Sequence, residues 1–281
     1  MKNIVAITFD SLRADHCGYN GYKRNTTPNL DQLARNGMAF TNAVSPASRT
    51  NAAMASIFTG ELMVTRDKIS NPENSKYHLK RHGTLAQNLS EKGYATGAFC
   101  PNAYASRYYG FDYGFDYFED FLFNKEQYQK IFDKHISDSG VFTLLRNFRN
   151  LLRKEEAFRS WETYIDDMEN WVENQDKPYF LWAFSLDTHF PYITPKKHRK
   201  WSNTISTYYY NWRCKILLDQ LDIEMSKKDR NGIINIYDDS IRYADKLIGE
   251  LQDRIGGEDT IFVVFADHGE AIDEHGFYGH F

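Results

Sequence analysis

Asn3-Ile4-Val5-Ala6-Ile7-Thr8-Phe9-Asp10-Ser11-Leu12-Arg13-Ala14-Asp15 is the stretch on which the fold turns. Its first seven residues are largely apolar and β-branched, far too few to span a membrane, and they end abruptly in a carboxylate. That is the pattern of a buried strand delivering a polar group at its carboxyl end. It recurs at residues 94–100, 179–186 and 260–266, the last running straight into Asp267-His268-Gly269-Glu270, and each run is bounded by Gly, Asp or Pro. Between the first two runs lie helical patterns at 29–36 after Pro28, 51–58 before Gly60 and 85–92 before Gly93, glycine being well suited to end a helix. Strands alternating with helices predict an α/β fold, a three-layer α/β/α sandwich around a mostly parallel central sheet.

A chain of 281 residues with 42% hydrophobic content can build a sizeable core, and residues 1–281 read as a single α/β domain. The segment 115–176 differs, being charged, aromatic and helical in period, with Trp161, Tyr164, Met168 and Trp171 spaced as one apolar face. It reads as a helical insertion packed on the sheet. Within it, residues 144–154 form a basic amphipathic stretch, read as a surface helix in preference to a grip on a membrane or polyanion. The cluster Tyr208-Tyr209-Tyr210-Asn211-Trp212 reads as packing in preference to stacking on sugars.

With 34 basic and 38 acidic side chains the formal net charge is -4, so no sequence-wide field favours nucleic acid or an anionic membrane. An anionic substrate must be captured locally. The apolar start is too short for a signal peptide or a spanning helix, so no membrane span and a cytoplasmic location are expected. Cys17, Cys100 and Cys214 are far apart and lack a CxxC pattern, which predicts unpaired thiols and no zinc knuckle.

Chemistry gathers where strands end, as in other open α/β sheets. The first run delivers Asp10, and the last delivers Asp267 and His268. Carboxylate and imidazole ligands from different strand tips can chelate a divalent cation, and buried carboxylates are costly unless paired. Each segment alone reads equally well as an Asp capping a turn, but the two together favour a metal. In Ser45-Pro46-Ala47-Ser48-Arg49-Thr50-Asn51-Ala52-Ala53-Met54, the Thr50 hydroxyl falls at the start of a helix. In isolation it reads as an N-cap. Beside a metal it gains the positive potential of the helix N-terminus, which suits an oxyanion nucleophile and a bound sulfate or phosphate.

These residues resemble the sulfatase family of the alkaline phosphatase superfamily. The resemblance runs in order through Asp10 to Gly18, Thr27-Pro28-Asn29-Leu30-Asp31 and Gly37-Met38-Ala39-Phe40-Thr41-Asn42-Ala43. It continues through Thr84-Leu85-Ala86, Gly93 to Phe99, Gly110 to Asp116, Asp187-Thr188-His189-Phe190-Pro191-Tyr192 and Asp267-His268-Gly269-Glu270 to Glu274-His275-Gly276. It implies that Asp10, Asp267 and His268 bind one divalent metal ion, of which Ca, Mg, Mn and Zn all suit the ligands, and that Thr50, ten residues before Gly60, touches the metal and is the nucleophile. Typical members carry a formylglycine-forming Cys-x-Pro-x-Arg there; Thr50-Asn51-Ala52-Ala53-Met54 lacks the Cys, Pro and Arg, so a covalent sulfo- or phospho-enzyme must replace the formylglycine route. Ser11 replaces the second Asp of the family's opening pair, and Cys100-Pro101-Asn102 replaces a Lys-Trp-His.

His189 matches the leaving-group acid, and His280, thirteen residues after Asp267, falls where a Lys often touches the ester. The resemblance further implies a C-terminal subdomain beyond Phe281, so a shortened chain is expected. The expected activity is metal-dependent hydrolysis of a small-molecule or carbohydrate sulfate ester, with possible action on phosphate esters. One alternative is a phosphotransferase or phosphodiesterase of the lipoteichoic acid synthase or phosphoethanolamine transferase type. A non-catalytic binding protein of the same fold is another.

Overall fold

The computed structural model describes residues 1–64, 71–121, 159–219 and 224–280. Among them β1 (Asn3–Phe9), β2 (Ala95–Phe99), β3 (Tyr117–Glu119), β4 (Tyr179–Ser185) and β5 (Thr260–Ala266) form one sheet in the order β3-β2-β4-β1-β5. Every neighbouring pair is parallel. Four of these strands are the runs expected from the sequence, to within a residue at each end.

Around the sheet lie α1 (Pro28–Asn36), α2 (Thr50–Thr59), α3 (Pro72–His82), α4 (Leu85–Glu91), α5 (Ile165–Glu173), α6 (Thr204–Asp219), α7 (Lys227–Ala244) and α8 (Lys246–Ile255). Strand alternation sorts the core into two layers. Val5, Ile7 and Phe9 of β1 join Leu181 and Ala183 of β4 under residues from α1, α5, α6, α7 and α8. Ala6, Phe180, Trp182 and Phe184 face the other way, against Met54, Ala55 and Phe58 of α2, Leu79 of α3 and Ala86 of α4. This is the three-layer α/β/α sandwich. All seven residues of the central strand β4 are buried, and fully burying a Phe or Leu stabilises by roughly 1.5–3 kcal/mol.

The segment read as a helical insertion from residue 115 opens instead with β3, an edge strand of three residues, too short to show alternation. Of the expected apolar face, Trp161, Tyr164 and Met168 are buried and Trp171 packs against the same core. Residues 122–158, with the basic stretch 144–154, lie outside the described residues. In the aromatic cluster, Tyr210 of α6 packs against Gly232 of α7 so closely that a Cβ there would come within 2.0 Å of its ring. The three cysteines are buried and unpaired. Among the described residues no helix is long and apolar enough to cross a membrane.

The start of α2 is set by its packing. Ala52, Ala53 and Ala55 are fully or nearly buried, so the helix backbone lies close to its neighbours, and Phe58 sits edge-on against Trp182 at 4.6 Å between ring centroids. Gly60, with φ 71, ends the helix by donating its N–H to the Ser56 carbonyl at 2.9 Å.

Candidate active site

Parallel register sets Phe9 level with Ser185 on one side and Ala266 on the other. Asp10 and Asp267 therefore leave adjacent strands side by side, at the ~4.8 Å strand spacing. Both are fully buried. Ser11 turns in the left-handed region, φ 61, unusual for a residue with a Cβ. The turn directs its N–H to Asp267 Oδ1 at 3.1 Å and its hydroxyl to Asp10 Oδ1 at 2.8 Å. Asp267 Oδ1 also accepts the His268 N–H at 2.8 Å. Asp10 Oδ2 accepts from Asn102 Nδ2 at 2.6 Å, and because Asn102 Oδ1 takes the Tyr104 N–H, the amide can face only one way.

Asp267 Oδ2 is different: it is buried without a hydrogen-bond partner. His268 Nδ1 meets the Gly269 carbonyl at 2.9 Å, and since a carbonyl only accepts, Nδ1 carries the proton and Nε2 keeps its lone pair. That lone-pair nitrogen lies 3.4 Å from Asp267 Oδ2, 3.7 Å from Asp10 Oδ1 and 3.3 Å from Thr50 Oγ1. Ligand atoms of Asp10, Asp267 and His268 all fall within 4.8 Å of one another. Two buried carboxylates, an orphaned oxygen, an imidazole lone pair and an alcohol form a donor set that fits a divalent cation.

Electrostatics agree with that fit. Burial pushes the Asp267 carboxyl well above the usual carboxylate range, and the Asp10 charge adds to it. Burial acts upward on Asp10 as well, but His189, His268, His280 and the Ser11 hydrogen bond outweigh it and hold it low. His268 is lowered, chiefly by burial, which keeps its imidazole neutral as a metal ligand requires.

Two more imidazoles border the carboxylates. His189, on the loop after β4, donates Nδ1–H to the Phe190 carbonyl. After β5 the chain doubles back through the antiparallel pair β6 (Ala271–Ile272) and β7 (Tyr278–Gly279), which returns His280 to the site. Its ring lies 4.3 Å from that of His268 and 5.3 Å from that of His189, centroid to centroid. Glu270, nearly buried, accepts from His280 Nδ1 at 3.1 Å and from the Tyr192 hydroxyl at 3.2 Å. Burial alone would lower His280, but its bond to Glu270 and that group's charge raise it.

Thus Asp10, Thr50, His189, Asp267, His268 and His280 converge on one place. Sequence reasoning gave no role to Asn102, Glu270 or Tyr237. The first two had a signal, each following a strand end. Tyr237, midway along α7, had none, yet its hydroxyl donates to the Ser11 carbonyl at 2.6 Å and accepts the Arg13 N–H at 3.0 Å, bracing the Asp10 turn.

The sulfatase family model matches residues 2–281. The chain is 27% identical to an arylsulfatase of Clostridium perfringens (strain 13 / Type A), over 98% of this chain and 64% of that protein. It is 26% identical to an ulvan-active sulfatase of Formosa agariphila, over 96% of this chain and 51% of that protein. It therefore spans about half to two thirds of the length of these relatives. Among solved structures, the C-terminal periplasmic domain of EcEptC from Escherichia coli, in a complex with Zn, is similar with a TM-score of 0.66. That alignment covers 100% of this chain and 68% of the other at 17% identity, a level that speaks for the fold alone.

Proposed function

The chain belongs to the sulfatase family, and from that premise we propose that it hydrolyses sulfate esters, with phosphate esters as further substrates, using Thr50 as nucleophile. The observation that carries this reading is the Thr50 hydroxyl, 3.3 Å from the His268 lone-pair nitrogen and beside the unpartnered Asp267 oxygen. Asp10, Asp267, His268 and Thr50 would hold one divalent cation, which when bound supplies positive charge that favours the Thr50 alkoxide and offsets the anionic ester.

This chain's own groups do the rest. Thr50 Oγ, at the first residue of α2, attacks sulfur or phosphorus as the bond to the departing oxygen breaks, and the helix N-terminus favours the anion. His189, its Nδ1–H held on the Phe190 carbonyl, is placed to give a proton from Nε2 to the leaving oxygen. Water, giving a proton to the His189 Nε2 left bare by the first step, then displaces Thr50 Oγ from sulfur or phosphorus, sulfate or phosphate departs, and Thr50 regains its proton from solvent. Steady-state turnover of aryl sulfates and aryl phosphates, with Ca, Mg, Mn or Zn added, tests the reading. Thr50→Ala is expected to lose at least about a thousandfold in kcat, in keeping with removal of other nucleophiles, and Thr50→Ser to retain activity. Full turnover by Thr50→Ala would overturn it.

The threonine supports a second reading as well. A simple Thr ester can be resolved by an alcohol instead of water, giving a phosphotransferase or phosphodiesterase. Faster turnover of a phosphodiester than of either monoester, accelerated by an added alcohol, would favour that reading.

A further inference from the structure

Residues 195–201 read Pro-Lys-Lys-His-Arg-Lys-Trp, a basic run in a chain whose net charge is -4, and nothing in the site above uses it. The run is pinned, not loose. Asp239, fully buried on α7, accepts the backbone N–H groups of Lys200, Trp201 and Ser202 at 2.6, 3.0 and 2.9 Å. The His198 ring stacks on Tyr243 at 5.0 Å, and Arg199 Nε donates to the Thr194 carbonyl at 2.7 Å. Next to it, fully buried Asp238 accepts from Arg24 at 2.8 Å, Tyr22 at 2.7 Å and His16 at 2.7 Å. The Arg24 guanidinium and the Lys200 ammonium both lie over the Trp201 ring, 5.4 and 5.3 Å from its centroid.

Lys196, Lys197 and Lys200 are exposed, and among the described residues Glu162 pairs with Lys197 and His198, at 3.1 and 3.2 Å. Asp238 and Asp239 spend their charge inward, so the outer surface is a fixed ledge of cations around an aromatic ring. Its place is set by three consecutive residues of α7. Tyr237 touches Ser11 beside Asp10, Asp238 holds Arg24, and Asp239 holds the basic run. These side chains fan around the helix, and the ledge is joined to the Asp10 turn through His16, which is bonded to Asp238 and lies 5.1 Å from the Tyr237 ring, centroid to centroid.

We propose that this ledge binds the further anionic groups of a multiply sulfated or phosphorylated saccharide while one of its esters occupies the site at Thr50. The inference rests on the ester-hydrolase reading for the second half of that statement, but binding to the ledge does not. Cations spaced on a rigid loop suit several fixed anions, and the Trp201 ring among them suits a sugar face better than a lipid chain.

The test measures binding of sucrose octasulfate, inositol hexakisphosphate and phosphatidylserine vesicles by titration calorimetry, using wild-type and Thr50→Ala protein. The triple variant K196Q, K197Q, K200Q should bind the two polyanionic small molecules at least tenfold more weakly and with a shallower salt dependence. Its turnover of a small aryl ester should stay within twofold. A control triple on α3, K76Q, K80Q, R81Q, should bind as wild type. Equal weakening by both triples, unchanged binding by the ledge triple, or binding to vesicles alone would each overturn the proposal. Binding that persists in Thr50→Ala, even if no aryl ester is ever turned over, would sustain the ledge and leave only the catalytic reading in question.

Discussion

Asn102 shows how one side chain determines the state of another. Its amide is oriented by the Tyr104 N–H and delivers a 2.6 Å hydrogen bond to Asp10 Oδ2. Partners of metal ligands typically contribute 10–100-fold to metal affinity or activity. Asn102→Ala is therefore expected to weaken metal binding about tenfold or more in a calorimetric titration, and an unchanged affinity would make Asn102 a bystander. Asp245 illustrates a structural carboxylate. It caps α1 by accepting the Asn29 and Leu30 N–H groups at 2.9 Å each, and burial raises its pKa from 3.8 to about 6. The folded state thus holds this proton more tightly than the unfolded chain, so its stabilising contribution is full below about pH 4 and is lost as pH rises through about 6. Urea unfolding should show the stability deficit of Asp245→Asn narrowing by about 2 kcal/mol between pH 4 and pH 7, and a constant gap would contradict this. At this scale Asp10, Thr50, Asp267 and His268 were legible because each directly follows a strand or opens a helix. Asn102 also follows a strand end, but its role was not assigned, since it depends on a neighbour 92 positions away in sequence.

Elements were legible where an apolar run stood out, whatever its burial: β5, read as a buried strand, exposes Ile261 and Val263 by 46% and 44% and was still found. β1, β2, β4 and β5 announce themselves as short apolar runs, whereas β3 has three residues with Tyr117 40% exposed, leaving almost no pattern to read. α3 is polar on most sides. It holds through the Asn71 side chain, which accepts the Glu73 N–H, and through Lys80, Arg81 and His82 in the last turn, where cations suit the helix dipole. α7 hid its apolar stripe because Asp238 and Asp239 interrupt it, and both are buried only because several donors meet each of them. Gly97 in β2 gives an element-scale test. A Cβ there would lie 2.5 Å from the Trp171 ring, so strand and α5 approach only because this residue is glycine. Gly97→Ala should destabilise by about 1–3 kcal/mol in urea unfolding, and Trp171→Leu in the same chain should recover part of it. Additive losses would show that the two do not meet.

Across the whole molecule, the sandwich brings residues 10 and 267, separated by nearly the entire chain, onto adjacent strands, and the alternation of runs announced the layers. The order β3-β2-β4-β1-β5 was not written in any single run, because it depends on which helices cover which face. That order places β1 between β4 and β5, so the tips carrying Asp10, His189, Asp267 and His268 share one edge of the sheet. Two adjacent buried carboxylates in such a place destabilise the fold unless a cation joins them, and one oxygen of Asp267 is left waiting for a partner. The decisive measurement is elemental analysis of purified wild-type and Asp267→Asn protein after exhaustive dialysis against buffer containing Ca, Mg, Mn and Zn. One divalent ion per wild-type chain, falling at least tenfold in the variant, is the expected result. A wild-type chain free of metal, or equal metal in both proteins, would contradict the shared ion at Asp10, Thr50, Asp267 and His268.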